Sequence, residues 1–144
     1  MRKAIILAAA LLAAPAAQAQ EAITYAFDGS FEDATFAVEN AIVNRGLVID
    51  YVSHVGDMLN RTGEDVGSDQ VIFAAADIFI FCSATVSRRA TEADPMNIVH
   101  CPYGIFVAED PDGAVMIGHR AYPDGAMQEV EALLDAIIIE ARGE

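Results

Sequence analysis

Residues 77–82 read DIFIFC, and their side chains divide by simple alternation, Phe79 and Phe81 to one side of an extended chain and Ile78, Ile80 and Cys82 to the other. A strand apolar on both sides belongs inside a sheet, either covered on both faces or placed at an oligomer contact. Immediately downstream, Ser83 is placed to cap a helix over 84–93, which Pro95 prevents from continuing. Immediately upstream, residues 69–76 are compatible either with an extension of the strand or with a helical turn before it.

Working outward, ITYAF (23–27) alternates Ile23, Tyr25 and Phe27 with smaller residues, the period of a half-buried strand. Ser30 opens a helix, with Asp33 as a short capping-box partner, Phe36, Val38, Ile42 and Val43 as apolar positions, and Gly46 as the stop. LVIDYVSHV (47–55) reads as a second strand, and GDMLNRTGEDVG as a short helix broken by glycines. YGIFVAE and AVMIGHR flank Asp110-Pro111-Asp112-Gly113, a turn suited to an antiparallel hairpin. In AMQEVEALLDAIIIEAR, Met127, Val130, Leu134, Ile137 and Ile138 share one helical stripe. The expected order is β-α-β-α-β-α-β-β-α, an α+β fold with a single sheet and packed helices.

The N-terminus carries Arg2 and Lys3 ahead of AIILAAALLAA and the small-residue motif Ala17-Gln18-Ala19, the pattern of a secretory signal peptide. The apolar run is too short for a membrane-spanning helix, which needs roughly 20 apolar residues. The expectation is cleavage after Ala19, release of residues 20–144 as one domain into the periplasm or medium, and no membrane attachment afterwards. Cleavage removes the only lysine and leaves six arginines against 22 acidic residues, a net charge of −16. That balance argues against nucleic acid, whose phosphates require clustered bases, and the one basic cluster is Arg88-Arg89. An acidic exterior speaks first to solubility through self-repulsion.

The run FIFCSATVSRRATEADPMNIVHCPYGIFVAEDPDGAVMIGHRAYP, residues 79–123, resembles the core of domain-of-unknown-function family 302. The resemblance is carried by Phe81-Cys82-Ser83 at a strand end, Ala93-Asp94-Pro95 at a helix end, Cys101-Pro102 before the next strand and Gly113 at a hairpin tip, and it extends more loosely over 23–142. Many members order the second motif as Pro then Cys, the reverse of this chain. The resemblance implies a compact α+β domain able to self-associate as a homodimer, and it implies no activity.

Cys82 and Cys101 admit several readings. In an exported protein an even cysteine count suggests a disulfide, here closing a loop worth roughly 3 kcal/mol in unfolded-chain entropy. Two buried thiols acting as small hydrophobes are a second reading. A third is chemical. Cys82 precedes a helix cap, whose partial positive charge favours thiolate, although no C-x-x-C motif supports a thioredoxin-like mechanism. Copper or zinc could draw on Cys82, His100 and Cys101, but adjacent strand residues point to opposite faces, so joint ligation by His100 and Cys101 needs a bend at Pro102. His54 and His119 are further candidates, His119 facing Gly104 across the simplest hairpin register.

Arg88 and Arg89, four and three residues from Glu92, suit a solvated ion-pair face or an anion site. Tyr103 offers either a pocket-lining ring with its hydroxyl to a ligand or a strand aromatic with a wet tip. Glu109 and Asp110 flank a turn. No G-x-S-x-G, H-E-x-x-H, P-loop or G-x-G-x-x-G occurs, so no catalytic residue is assigned. The leading expectation is therefore a non-enzymatic domain that binds a small ligand or a protein, with structural cysteines, no cofactor, and a candidate binding set of Cys82, Ser83, Arg88, Cys101 and Tyr103. The alternative is a thiol-redox or transition-metal protein using Cys82 and Cys101.

Overall fold

In the computed structural model, which describes residues 21–144, the strand read at 77–82 runs from Ala75 to Cys82 and is paired along both edges. Its apolar character on both sides follows from that interior position. The elements in chain order are β1 (Ala22–Phe27), α1 (Phe31–Asn44), β2 (Val48–Ser53), α2 (Val55–Thr62), β3 (Ala75–Cys82), α3 (Ala84–Ala93), β4 (Tyr103–Glu109), β5 (Val115–Arg120) and α4 (Gln128–Ala141). Short 3-10 turns occupy Glu64–Val66 and Pro95–His100. The five strands form one sheet in the order β1-β5-β4-β3-β2, antiparallel throughout. The expected α+β class and element order are realised. The signal-peptide reading falls on residues 1–19, outside the described residues.

Helices α1 and α4 pack together on one face of the sheet, with α3 beside α4. Phe79, Phe81, Tyr103, Ile105 and Ile117 project into that layer and meet Val38 and Ile42 of α1 and the full predicted stripe of α4. Burying such side chains contributes about 1.5–3 kcal/mol each. On α1, by contrast, Phe36 and Val43 are exposed, because a helix lying on a sheet buries a single stripe and these two fall outside it. The capping box forms as read: the Ser30 hydroxyl accepts from the Asp33 amide at 3.1 Å, and the Asp33 carboxylate accepts from the Ser30 amide at 3.3 Å.

Residues 69–74 form neither strand nor helix, which resolves the ambiguity left before β3. Helix α2 approaches β3 closely at Gly56 and Ala76, and beyond it Ile78 and Ile80 are half-buried and, with Phe106, Gly104 and Pro102, line an open groove of about 390 Å³. Phe106 lies so close over Gly118 that a Cβ there would fall 2.6 Å from its ring, so glycine is required by contact.

The hairpin between β4 and β5 turns at Asp110–Gly113. Gly113 takes φ +88°, where other residues are strained, and the Asp110 carboxylate accepts from the amides of Asp112 and Ala114 at 2.9 Å each. The register differs by one from the simplest expectation. Ile105, not Gly104, lies opposite His119, because Glu109 pairs with Val115 and sets the ladder from the turn inward. His119 consequently points into the helix-covered layer and is fully buried.

Candidate thiol–phenol site

The C-terminal end of β3 and the entrance to β4 meet side by side, since Phe81 pairs with Tyr103. Cys82 ends β3. Ser83 then caps α3, its hydroxyl accepting from the Val86 amide at 3.3 Å, so the positive end of a ten-residue helix starts beside the Cys82 thiol. After α3 the chain makes the 3-10 turn Pro95–His100. That turn is pinned by the Asp94 carboxylate accepting from the Met96 amide at 2.9 Å and by Asn97 donating to the Ala90 carbonyl at 2.9 Å. Cys101 closes the turn and is joined to Pro102 by a cis peptide bond. His100 and Cys101 therefore leave a turn rather than a strand, and strand alternation does not govern them.

Both cysteines are free thiols and partly buried, so the expected disulfide is not formed. Cys101 donates to the Tyr103 hydroxyl at 3.7 Å, and Cys82 lies near enough to the Cys101 side chain and the Tyr103 backbone for both to act on its thiol. Burial pushes the Cys82 thiol above its ordinary pKa and the neighbouring Cys101 adds to this, while the Tyr103 backbone bond pulls the other way. The lowered pKa expected from the helix terminus is thus outweighed by desolvation and by the second sulfur.

Tyr103 is fully buried, and its hydroxyl lies 2.9 Å from that of Ser87, one helical turn beyond Ser83 on α3. Neither a wet tip nor a free ligand-facing hydroxyl describes it: the phenol links α3 to Cys101. Tyr122 meets Tyr103 edge-on at 6.2 Å and His100 at 5.8 Å, and it lies within electrostatic reach of both sulfurs. Its own hydroxyl is buried with no hydrogen-bond partner among the described residues. An unsatisfied buried hydroxyl costs about 1–3 kcal/mol.

The family model for "Domain of unknown function DUF302" matches residues 23–140. The chain belongs to the DUF302 family. A crystal structure of an uncharacterized conserved DUF302 protein from Bacillus stearothermophilus shares its fold, with a TM-score of 0.58 at 18% identity, covering 84% of this chain and 91% of that one. No protein of curated function matches the chain.

Of the residues singled out from sequence, this DUF302 fold brings together Cys82, Ser83, Cys101 and Tyr103. Arg88 does not join them. It is largely exposed and pairs with Glu92 at 2.5 Å, the solvated face foreseen for it. Arg89 turns instead to Glu129 of α4, bridging two helices. Among the described residues no group of three or more His, Cys, Asp and Glu side chains forms a metal shell; His100 presents its ring to Tyr122, and both ring nitrogens of His119 are engaged, by the Arg120 carbonyl and by Asp135. His54 pairs with Asp77 at 2.7 Å, with its side chain 62% exposed. Two members of the cluster escaped sequence reasoning. Ser87 carries a weak signal, four residues after the cap and so on the same helical face, whereas Tyr122, 21 residues beyond Cys101, carries none.

Proposed function

We propose that this DUF302 protein is an exported, non-enzymatic binding domain whose binding centre is the cluster of Cys82, Cys101, Tyr103 and Tyr122. The observation that carries the reading is the Tyr122 hydroxyl, buried without a partner beside two unbridged thiols. Proteins satisfy buried polar groups almost without exception, so an orphan donor next to free sulfurs marks a place completed by something else. Burial and the neighbouring Cys101 push the Cys82 thiol above its ordinary pKa, which disfavours the thiolate a nucleophile would need and supports binding over catalysis. Export is proposed from the basic, apolar and small-residue pattern of residues 2–19.

The test is a thermal-shift panel on the purified domain, kept reduced, with inorganic phosphate, zinc, cuprous ion and small aromatic acids as separate probes. At least one probe should raise the melting temperature of the wild type and lose that effect in Cys101→Ser and Tyr122→Phe. A panel with no shift, or a shift that survives both substitutions, overturns the reading.

A further inference from the structure

We propose that Cys82 and Cys101 form a two-coordinate site for a soft monovalent cation of the cuprous class, with the hydroxyls of Tyr103 and Tyr122 donating to the thiolate sulfurs. This deepens the binding reading above and rests on it.

The donor set selects the ion. The pairing of Phe81 with Tyr103 brings the two thiols to one end of the sheet, near enough for one to act on the other, and among the described residues no group of three or more His, Cys, Asp and Glu side chains forms around them. Zinc takes four ligands and finds two here, whereas thiolates select Cu(I), which is content with two sulfurs in line. Both cysteines remain partly exposed, which gives the ion a way in.

The step balances without an oxidant. Two S–H bonds break, two S–Cu bonds form, two protons leave to solvent, and copper stays cuprous. The product carries one negative charge, and three features of the fold face that charge. The first is the N-terminal end of α3, which begins at Ala84 directly after Cys82 and Ser83.

The second is the chain from Cys101 through Tyr103 to Ser87. With the thiol protonated, sulfur donates to the Tyr103 oxygen at 3.7 Å. Either hydroxyl can be the donor in the 2.9 Å contact between Tyr103 and Ser87. Once the sulfur loses its proton the chain reverses, Ser87 donating to Tyr103 and Tyr103 donating to sulfur, with only hydroxyl hydrogens moving. The third is Tyr122, whose buried O–H has no partner among the described residues and lies within electrostatic reach of both sulfurs. Donors of this kind tune metal affinity by about 10–100-fold.

The experiment is an anaerobic competition between the full mature domain and bathocuproine disulfonate for Cu(I), followed by X-ray absorption of the loaded protein. One equivalent should be held per chain with two sulfur neighbours. Cys82→Ser and Cys101→Ser, each checked for folding by circular dichroism, should lose it, and Tyr103→Phe and Tyr122→Phe should each weaken it about 10–100-fold. Silver(I) should compete for the same site. Failure to hold Cu(I) against the chelator, three or more ligands in the absorption spectrum, or unchanged affinity in both tyrosine variants overturns the proposal. If another probe of the thermal panel acts through Cys101 and Tyr122 while Cu(I) does not bind, the binding reading stands and the cuprous assignment alone falls.

Discussion

Tyr103 and Tyr122 meet edge-on at 6.2 Å and hold their hydroxyls in opposite circumstances. The Tyr103 hydroxyl is bonded to Ser87 and Cys101, whereas the Tyr122 hydroxyl has no partner among the described residues. The same deletion of one oxygen therefore has different consequences in the ligand-free protein. Tyr103→Phe should destabilise by about 1–2 kcal/mol, because it strands the Ser87 hydroxyl as well as removing the phenol. Tyr122→Phe should be neutral or slightly stabilising, since it removes a buried group that gains nothing. Urea unfolding of the two variants checks the contrast, and equal losses would mean that Tyr122 is bonded after all.

At the scale of elements, three segments distant in sequence are tied by one polar group in the core layer. His119 of β5 donates from Nδ1 to its neighbour's carbonyl at Arg120, 2.8 Å away, and its Nε2 lies 2.9 Å from Asp135 of α4. The same carboxylate oxygen accepts from the Tyr25 hydroxyl of β1 at 2.7 Å. The helix is thus fixed to two neighbouring strands by directional bonds as well as by apolar packing. His119→Leu should cost about 2–3 kcal/mol, leaving Asp135 and the Arg120 carbonyl each short of a partner. A double-mutant cycle with Asp135→Ala should show coupling, because the second loss is smaller once the first partner is gone; strict additivity would dissolve the group into independent contacts.

For the whole molecule the informative variable is alkaline pH. Lys3 is the only lysine in the chain, so between pH 10 and 12 the charge of the described domain changes chiefly through tyrosine and cysteine. Burial pushes the Tyr122 hydroxyl from an ordinary 10.0 up to about 12, and Tyr103 is raised as well, again mainly by burial. The folded pKa lies above the unfolded one, so the stabilisation is complete below pH 10 and is lost as pH climbs toward the folded value. Across that window the unfolded chain releases a proton that the native state retains, and stability should fall by about 1.4 kcal/mol per pH unit for such a group. Urea midpoints measured from pH 9 to 12 should fall steeply in the wild type and less steeply in Tyr122→Phe. Identical slopes would remove Tyr122 from the account.

Local patterns were enough for the sequence to determine the elements and their order. Period-2 alternation in β3, the Ser30–Asp33 capping box, the Ser83 cap, the stop at Pro95, the turn at Gly113 and the stripe on α4 each depend on neighbours a few residues away, and each is found. Most of the candidate site was legible for the same reason, since Cys82-Ser83 and Cys101-Pro102-Tyr103 sit at element ends that the pattern locates. Partners across the fold were not legible. Register is set by how a hairpin closes, and a shift of one residue carried His119 into the core beside α4. The state of the cysteines depends on where two strand ends come to lie and on what else bonds their sulfurs. Tyr122 joined the cluster only because the chain after β5 returns over the start of β4, a proximity that no spacing in the sequence records and that packing alone decides.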